Sequence, residues 1–223
     1  MTTRNSRAKT AATWILIGGL AGAGSVAWAE GAKKDKAPRG AAEAAPAGAG
    51  ASAEAGQAAA MAAMAKLAGP SEKHKVLAQL VGSWDAHSKA FMRPGQPPLE
   101  SHGTAETRLI LGGRFLQEDY SNTFANTPFQ GHGLTGYDLL KQKYVNVWVD
   151  NLGSWLTLSE GSLDPSGKVL TLTGEMPDPQ TGKGRPTKTV TRIESADRHV
   201  FEIYDHVDGK DVKIMEVTYT RRK

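Results

Sequence analysis

Between Trp84 and Lys223 no segment has the length or the 3.6-residue apolar period of a crossover helix. That restriction fixes more of the fold than any other feature, because parallel strands need such a crossover and antiparallel strands need only a turn. The region instead alternates stretches rich in Val, Thr, Ile and Tyr with explicit turn sequences: Gly112-Gly113, Asp150-Asn151-Leu152-Gly153, Asp164-Pro165-Ser166-Gly167, Asp178-Pro179-Gln180-Thr181-Gly182 and Asp208-Gly209. Counting the runs between turns predicts about ten strands joined as hairpins in sequence order. A meander of that size closes into a barrel, which removes its edge strands. Eight strands would be nearly filled by their own side chains, whereas about ten leave a lumen. The expected fold is all-β: a single antiparallel up-and-down β-barrel with a short N-terminal helix, preceded by a disordered leader.

The folded part is bracketed by Gly82-Ser83-Trp84 and by Tyr219-Thr220-Arg221-Arg222. A Trp at the barrel floor under a flat guanidinium makes a cation–π closure, so Trp84 and Arg221 are read as the plug and seam. An inward Trp84 carries Ala86, Ser88, Ala90 and Met92 inward with it, and an inward Arg221 carries Tyr219, Val217 and Met215. The run Tyr144-Val145-Asn146-Val147-Trp148-Val149-Asp150 has two faces, one all valine and one of Tyr, Asn, Trp and Asp. Exposing Tyr144 and Trp148 side by side is unusual for a monomer, which favours turning that face into a wet lumen. The outward Val145, Val147 and Val149 would then need covering, as a homodimer would provide.

Residues 1–29 combine Arg4, Arg7 and Lys9, an apolar core, and Ala27-Trp28-Ala29, the three parts of a secretory signal peptide. Its bland rival is an uncleaved membrane anchor, for which the glycine-interrupted core is marginal. Cleavage after Ala29 predicts an exported protein, periplasmic or extracellular. Residues 30–69 read as an Ala/Gly/Pro-rich tether with a short helix over Gln57–Leu67. Ser71 then offers an N-cap to a second short helix presenting Val76, Leu77 and Leu80. Residues 70–223 are the barrel domain. The net charge of +4 belongs to the leader, since from Ser71 onward there are 19 Lys+Arg and 19 Asp+Glu. A neutral, sign-mixed domain has no electrostatic footprint for nucleic acid, nor for a membrane beyond export. The absence of cysteine excludes disulfides and thiolate chemistry.

Several motifs resemble the bacterial domain-of-unknown-function-1579 family. They are Pro70-x3-His74-x2-Leu77-x2-Leu80-x-Gly82-x-Trp84; Leu111-Gly112-Gly113-Arg114-Phe115-Leu116; Phe129-x-Gly131-x-Gly133-x2-Gly136-Tyr137-Asp138; Lys143-Tyr144-x3-Trp148-x-Asp150; and Met215 to Arg221. The resemblance covers Pro70 to Lys223 and implies a lipocalin-like, fatty-acid-binding-protein-like barrel, with nitrobindin a more distant relative. It implies no activity.

Arg114, after a Gly-Gly turn, is a candidate for holding a ligand carboxylate; its bland reading is a pair with Glu106 or Glu118. Tyr137, Tyr144, Trp148 and Trp155 make a candidate aromatic wall, with Asp150 beside it. Gly131, Gly133 and Gly136 imitate a phosphate loop, but a strand rather than a helix follows them, so they read as close backbone approach in a curved sheet. No histidine pair or acid cluster has metal-ligand spacing, and no cofactor is expected. The distant likeness to nitrobindin, whose barrels can bind haem through one axial His, would use His206 or His132. Asp138, Asp150, Glu118 and Glu160 are the carboxylates from which acid–base chemistry would be built; no catalytic residue is assigned. The expected function is binding of a small apolar or amphiphilic ligand in the lumen. The alternatives are an enzyme using lumen carboxylates and a scaffold with a filled barrel.

Overall fold

The computed structural model describes residues 48–92, 95–124, 126–178 and 181–223. The signal-peptide reading of residues 1–29 and the tether reading up to residue 47 lie outside the described residues. Helix α1 spans Gly48–Ala68, so it starts nine residues before the expected Gln57. Alanine has the highest helix propensity and carries the turns through Gly50 and Gly56. From Glu54 to Ala68 the helix is exposed, Met61, Met64 and Leu67 included.

Ser71 starts the chain's next turn as expected. Its side chain accepts from the Lys73 N–H, and His74 Nδ1 accepts in return from the Ser71 N–H at 2.9 Å, a reciprocal cap. The capped 3-10 turn Glu72–His74 runs into helix α2, Lys75–Ala78, which buries Val76 and Leu77, and Leu80 follows. Burial holds the His74 imidazole below its ordinary pKa, consistent with the neutral acceptor the cap requires.

Ten strands follow: β1 Gly82–Ala90, β2 Leu99–Ile110, β3 Phe115–Phe124, β4 Thr127–Asp138, β5 Lys143–Asp150, β6 Thr157–Leu163, β7 Val169–Asp178, β8 Lys183–Ser195, β9 Arg198–Val207 and β10 Lys210–Arg221. Each pairs antiparallel with its sequence neighbour, and β1 pairs with β10, so the sheet is closed. The closing register sets Trp84 opposite Arg221, Ala86 opposite Tyr219 and Ala90 opposite Met215.

Two clusters fill one end of this barrel. Val76, Leu77 and Leu80 pack with Leu116, Tyr144, Leu170, Leu172 and Ile193 beneath β3, β5, β7 and β8. Trp84 joins Ala86, Ala105, Tyr120, Val217 and Tyr219 on the β1–β10 side, with Trp148, Phe201 and Met215 against them. Trp84, at 1% exposure, donates its indole N–H to the Leu80 carbonyl and to Thr107 Oγ1, both at 3.1 Å. No helix of the described residues is long and apolar enough to cross a membrane.

Candidate lumen site

Alternation along each strand, propagated by the register, decides what the lumen sees. One row runs Thr107, Glu118, Gly133, Trp148, Thr157 across β2 to β6, and the row through Ala105 runs Tyr120, Gly131, Asp150. The Tyr-Asn-Trp-Asp face of β5 is therefore inward. Val145, Val147 and Val149 face outward.

The sequence-predicted residues separate into distinct places. Trp148 and Asp150 line the lumen together, the indole N–H donating to Asp150 Oδ2 at 3.0 Å. The ring lies against β4, where a Cβ on Gly131 would stand 2.1 Å from Trp148 Cζ2 and one on Gly133 3.2 Å from Cε3. The glycines at 131 and 133 are thus the bed of an aromatic ring, the close approach expected of them. Tyr137 and Tyr144 belong to the floor: their rings meet edge to face at 4.9 Å, and the Tyr144 hydroxyl donates to the Lys73 carbonyl at 2.7 Å. Both are structural supports of the plug rather than lumen contacts.

Arg114 lies at the closed end, away from the lumen. Its Nε donates to the Ala68 carbonyl at 2.6 Å and its Nη1 to the Leu111 carbonyl at 2.9 Å, so it anchors the end of α1. The guanidinium is thus oriented by backbone carbonyls at the closed end, and the structure does not bring it together with Trp148 and Asp150. Trp155, in the β5–β6 connection, folds over Gly153 and borders a hollow of about 770 Å³ at the β5–β8 wall. Its lining mixes the outward Val145, Val147, Leu158 and Glu160 with Asn146, Ser159 and Met176 of the inward rows.

The carboxylates divide likewise. Glu160 is outside, between Lys141 at 2.9 Å and Lys143 at 2.5 Å, and these two hold its carboxyl at about 2. Asp138 caps the β4–β5 turn through the Leu140 and Lys141 N–H groups. Glu118 and Asp150 are inside. The Tyr219 hydroxyl donates to Glu118 Oε1 at 3.0 Å, joining residues 101 apart in sequence. What exposure Glu118 keeps is to the lumen rather than to bulk solvent, and burial raises its carboxyl pKa above the ordinary value. The Tyr219 bond opposes that rise and neighbouring Asp119 adds to it. Burial drives Tyr219 well above its usual range.

Around this pair sit groups that the sequence did not single out. The Tyr120 ring meets Phe129, Trp148 and Tyr219 edge to face at 5.8, 6.4 and 6.4 Å. Its hydroxyl shares a buried network with Ser88 at 2.8 Å and the Asn122 amide at 2.9 Å, and that amide also donates to Ser101. His199 stacks on Tyr219 at 4.4 Å and meets the Trp84 edge at 4.5 Å; its Nδ1 is buried with no hydrogen-bond partner. Burial and then the Arg221 charge lower its pKa to about 4. On the far wall Arg185 Nη1 meets Asp205 Oδ2 at 3.3 Å, leaving Arg185 Nε and Asp205 Oδ1 unpartnered. The two histidines proposed for haem are both outside, His132 Nδ1 against Asp119 at 2.8 Å and His206 Nδ1 against Asp211 at 3.1 Å. Among the described residues no cluster of three or more His, Asp or Glu could hold a metal ion.

The chain is thus a closed ten-strand antiparallel barrel, plugged at one end and lined with rings and hydroxyls. The chain belongs to the family described as protein of unknown function (DUF1579), whose model matches residues 69–221. The crystal structure of Rv2717c from M. tuberculosis is similar, at 16% identity and a TM-score of 0.53, covering 70% of this chain and 100% of that one. That likeness shows a shared fold. No curated protein matches the chain.

Proposed function

We propose that the protein is an exported container that binds a small apolar or amphiphilic molecule in its lumen. The observation that carries this reading is that the interior is lined but not filled. Glu118, Trp148, Thr189 and Phe201 all point inward from their strands, yet each keeps accessible surface. A side-chain-filled barrel would bury such positions. The unpartnered Arg185 Nε, Asp205 Oδ1 and His199 Nδ1 add polar atoms that a ligand or ordered water would satisfy.

The raised Glu118 carboxyl is the one observation favouring acid–base catalysis. Its hydrogen-bond partner is a tyrosine that itself holds its proton more tightly than usual. The pair is therefore better suited to fixing a polar head than to exchanging protons near neutrality. The sequence of residues 1–29 supports export. Native mass spectrometry of protein purified from its own host tests the reading: a co-purifying small molecule is expected, and a bare polypeptide mass across independent preparations would count against it.

A further inference from the structure

The charged groups that point inward are unevenly distributed. On β7 and β9 the acids have basic neighbours from β8: Asp178 is the register partner of Lys183, and Asp205 has Arg185 at 3.3 Å. On the opposite wall Glu118 and Asp150 have none. Among the described residues no Lys, Arg or His lies within ion-pair distance of either. Glu118 takes a hydrogen bond only from the Tyr219 hydroxyl. Asp150 takes its own only from the Trp148 indole and the Leu152 N–H. No Lys or Arg is inward on β1 to β6, and the basic residue first considered for the lumen, Arg114, is spent on two carbonyls outside it.

These two acids stand beside aromatic faces. Trp148 lies between the Glu118 and Asp150 positions on its glycine bed; the Tyr120 ring meets it edge to face at 6.4 Å, and Phe129 and Tyr219 meet Tyr120 in turn. Beneath Tyr219, His199 is 7% exposed and keeps an unpartnered buried nitrogen, an open hydrogen-bonding position in the same wall. Held neutral by burial, it brings no positive charge that would compensate the acids. Uncompensated carboxylates next to rings suit a cation, which gains from the ring quadrupoles and from the counter-ions together. They repel a fatty carboxylate.

We infer that the lumen selects a cationic amphiphile, an aliphatic or aryl amine whose ammonium head sits against Glu118, Asp150 and the Trp148 ring. This rests on the lumen-binding reading above and names the ligand class for it. The upward shift of the Glu118 carboxyl agrees, since it is the signature of a buried acid that lacks its cation.

The test is titration of the full chain with decyltrimethylammonium, decanol and decanoate, each below its micelle-forming concentration, by calorimetry and tryptophan fluorescence. The cation should bind at least about tenfold more tightly than decanol, and decanoate most weakly. Glu118→Gln and Asp150→Asn, which preserve the shape and one acceptor oxygen while removing the charge, should each weaken the cation by about tenfold more than they change decanol. Decanoate matching the cation, or variants that leave the cation's affinity unchanged or weaken all three probes equally, would overturn the inference. Decanol and the cation binding equally would remove it and leave the lumen reading standing. No binding by any probe would overturn both.

Discussion

The guanidinium carbon of Arg221 lies 4.2 Å from the centroid of the Trp84 ring, and Gly82 is the residue that lets it reach there. Gly82 has φ +149°, and a Cβ at that position would stand 2.1 Å from Arg221 Nη1. The same guanidinium donates to the Val81 carbonyl at 2.8 Å and twice to the Ala196 carbonyl at 3.0 and 2.8 Å. One side chain thus ties the start of β1, the β8–β9 turn and the end of β10 to the plug. Trp84→Ala should lower stability by about 3–5 kcal/mol through the cavity it opens. Arg221→Lys should lower it by about 1–2 kcal/mol, from the lost planar fork and ring contact. Thermal and denaturant melting measures both, and unchanged melting in Trp84→Ala would contradict the plug assignment.

Gly131 and Gly133 support Trp148 unequally, and the difference can be read out. Gly131→Ala must displace the indole and should destabilise by about 1–3 kcal/mol. It should also change near-ultraviolet circular dichroism and Trp fluorescence. Gly133→Ala meets the ring at 3.2 Å and needs a shift of only a few tenths of an ångström, so its spectrum should stay close to wild type. Equal effects of the two substitutions would contradict the ring's placement.

This bed also shows what the sequence could reveal. The turn dipeptides and the two-residue period are local signals, so the meander and the Trp84–Arg221 seam were legible. So was the inward face of β5, because the alternative exposed Tyr144 and Trp148 together. The Arg114 contact was not legible, since its acceptors are backbone carbonyls, one of them 46 residues away. Neither was the meeting of Glu118 with Tyr219, which exists only once β10 closes on β1. Sequence alone assigns no facing to Trp155, because residues in a connection have no strand parity.

The pH dependence of stability should carry the mark of His199. Its pKa falls from 6.5 in the unfolded chain to about 4 in the fold, so the unfolded state binds the extra proton between those values. The corresponding stability is fully present above pH 6.5 and is lost as pH falls toward 4, amounting to about 3 kcal/mol by linkage. Glu118 acts in the opposite sense, since its raised pKa removes stability as pH rises through it. Comparing melting of wild type and His199→Phe isolates the histidine: wild type should lose stability relative to the variant as pH falls from 7 to 4. A difference independent of pH would contradict the buried, neutral assignment.

Arg114→Ala should free the carbonyl of Ala68 and loosen the C-terminal turn of α1. Amide hydrogen exchange at the end of that helix should speed up while the barrel strands keep their protection. Binding of lumen probes should be unaffected, since Arg114 is outside the lumen. Loss of probe binding in this variant would restore the carboxylate-holding role.

Whether the barrel interior is open to a ligand is tested most directly by a crystal structure of the protein grown with decyltrimethylammonium. The predicted result is density for the probe inside the barrel, its head beside Glu118, Asp150 and Trp148 and its chain toward Phe201. Probe density confined to the hollow at Val147, Leu158 and Trp155, above an interior closed by its own side chains, would contradict it.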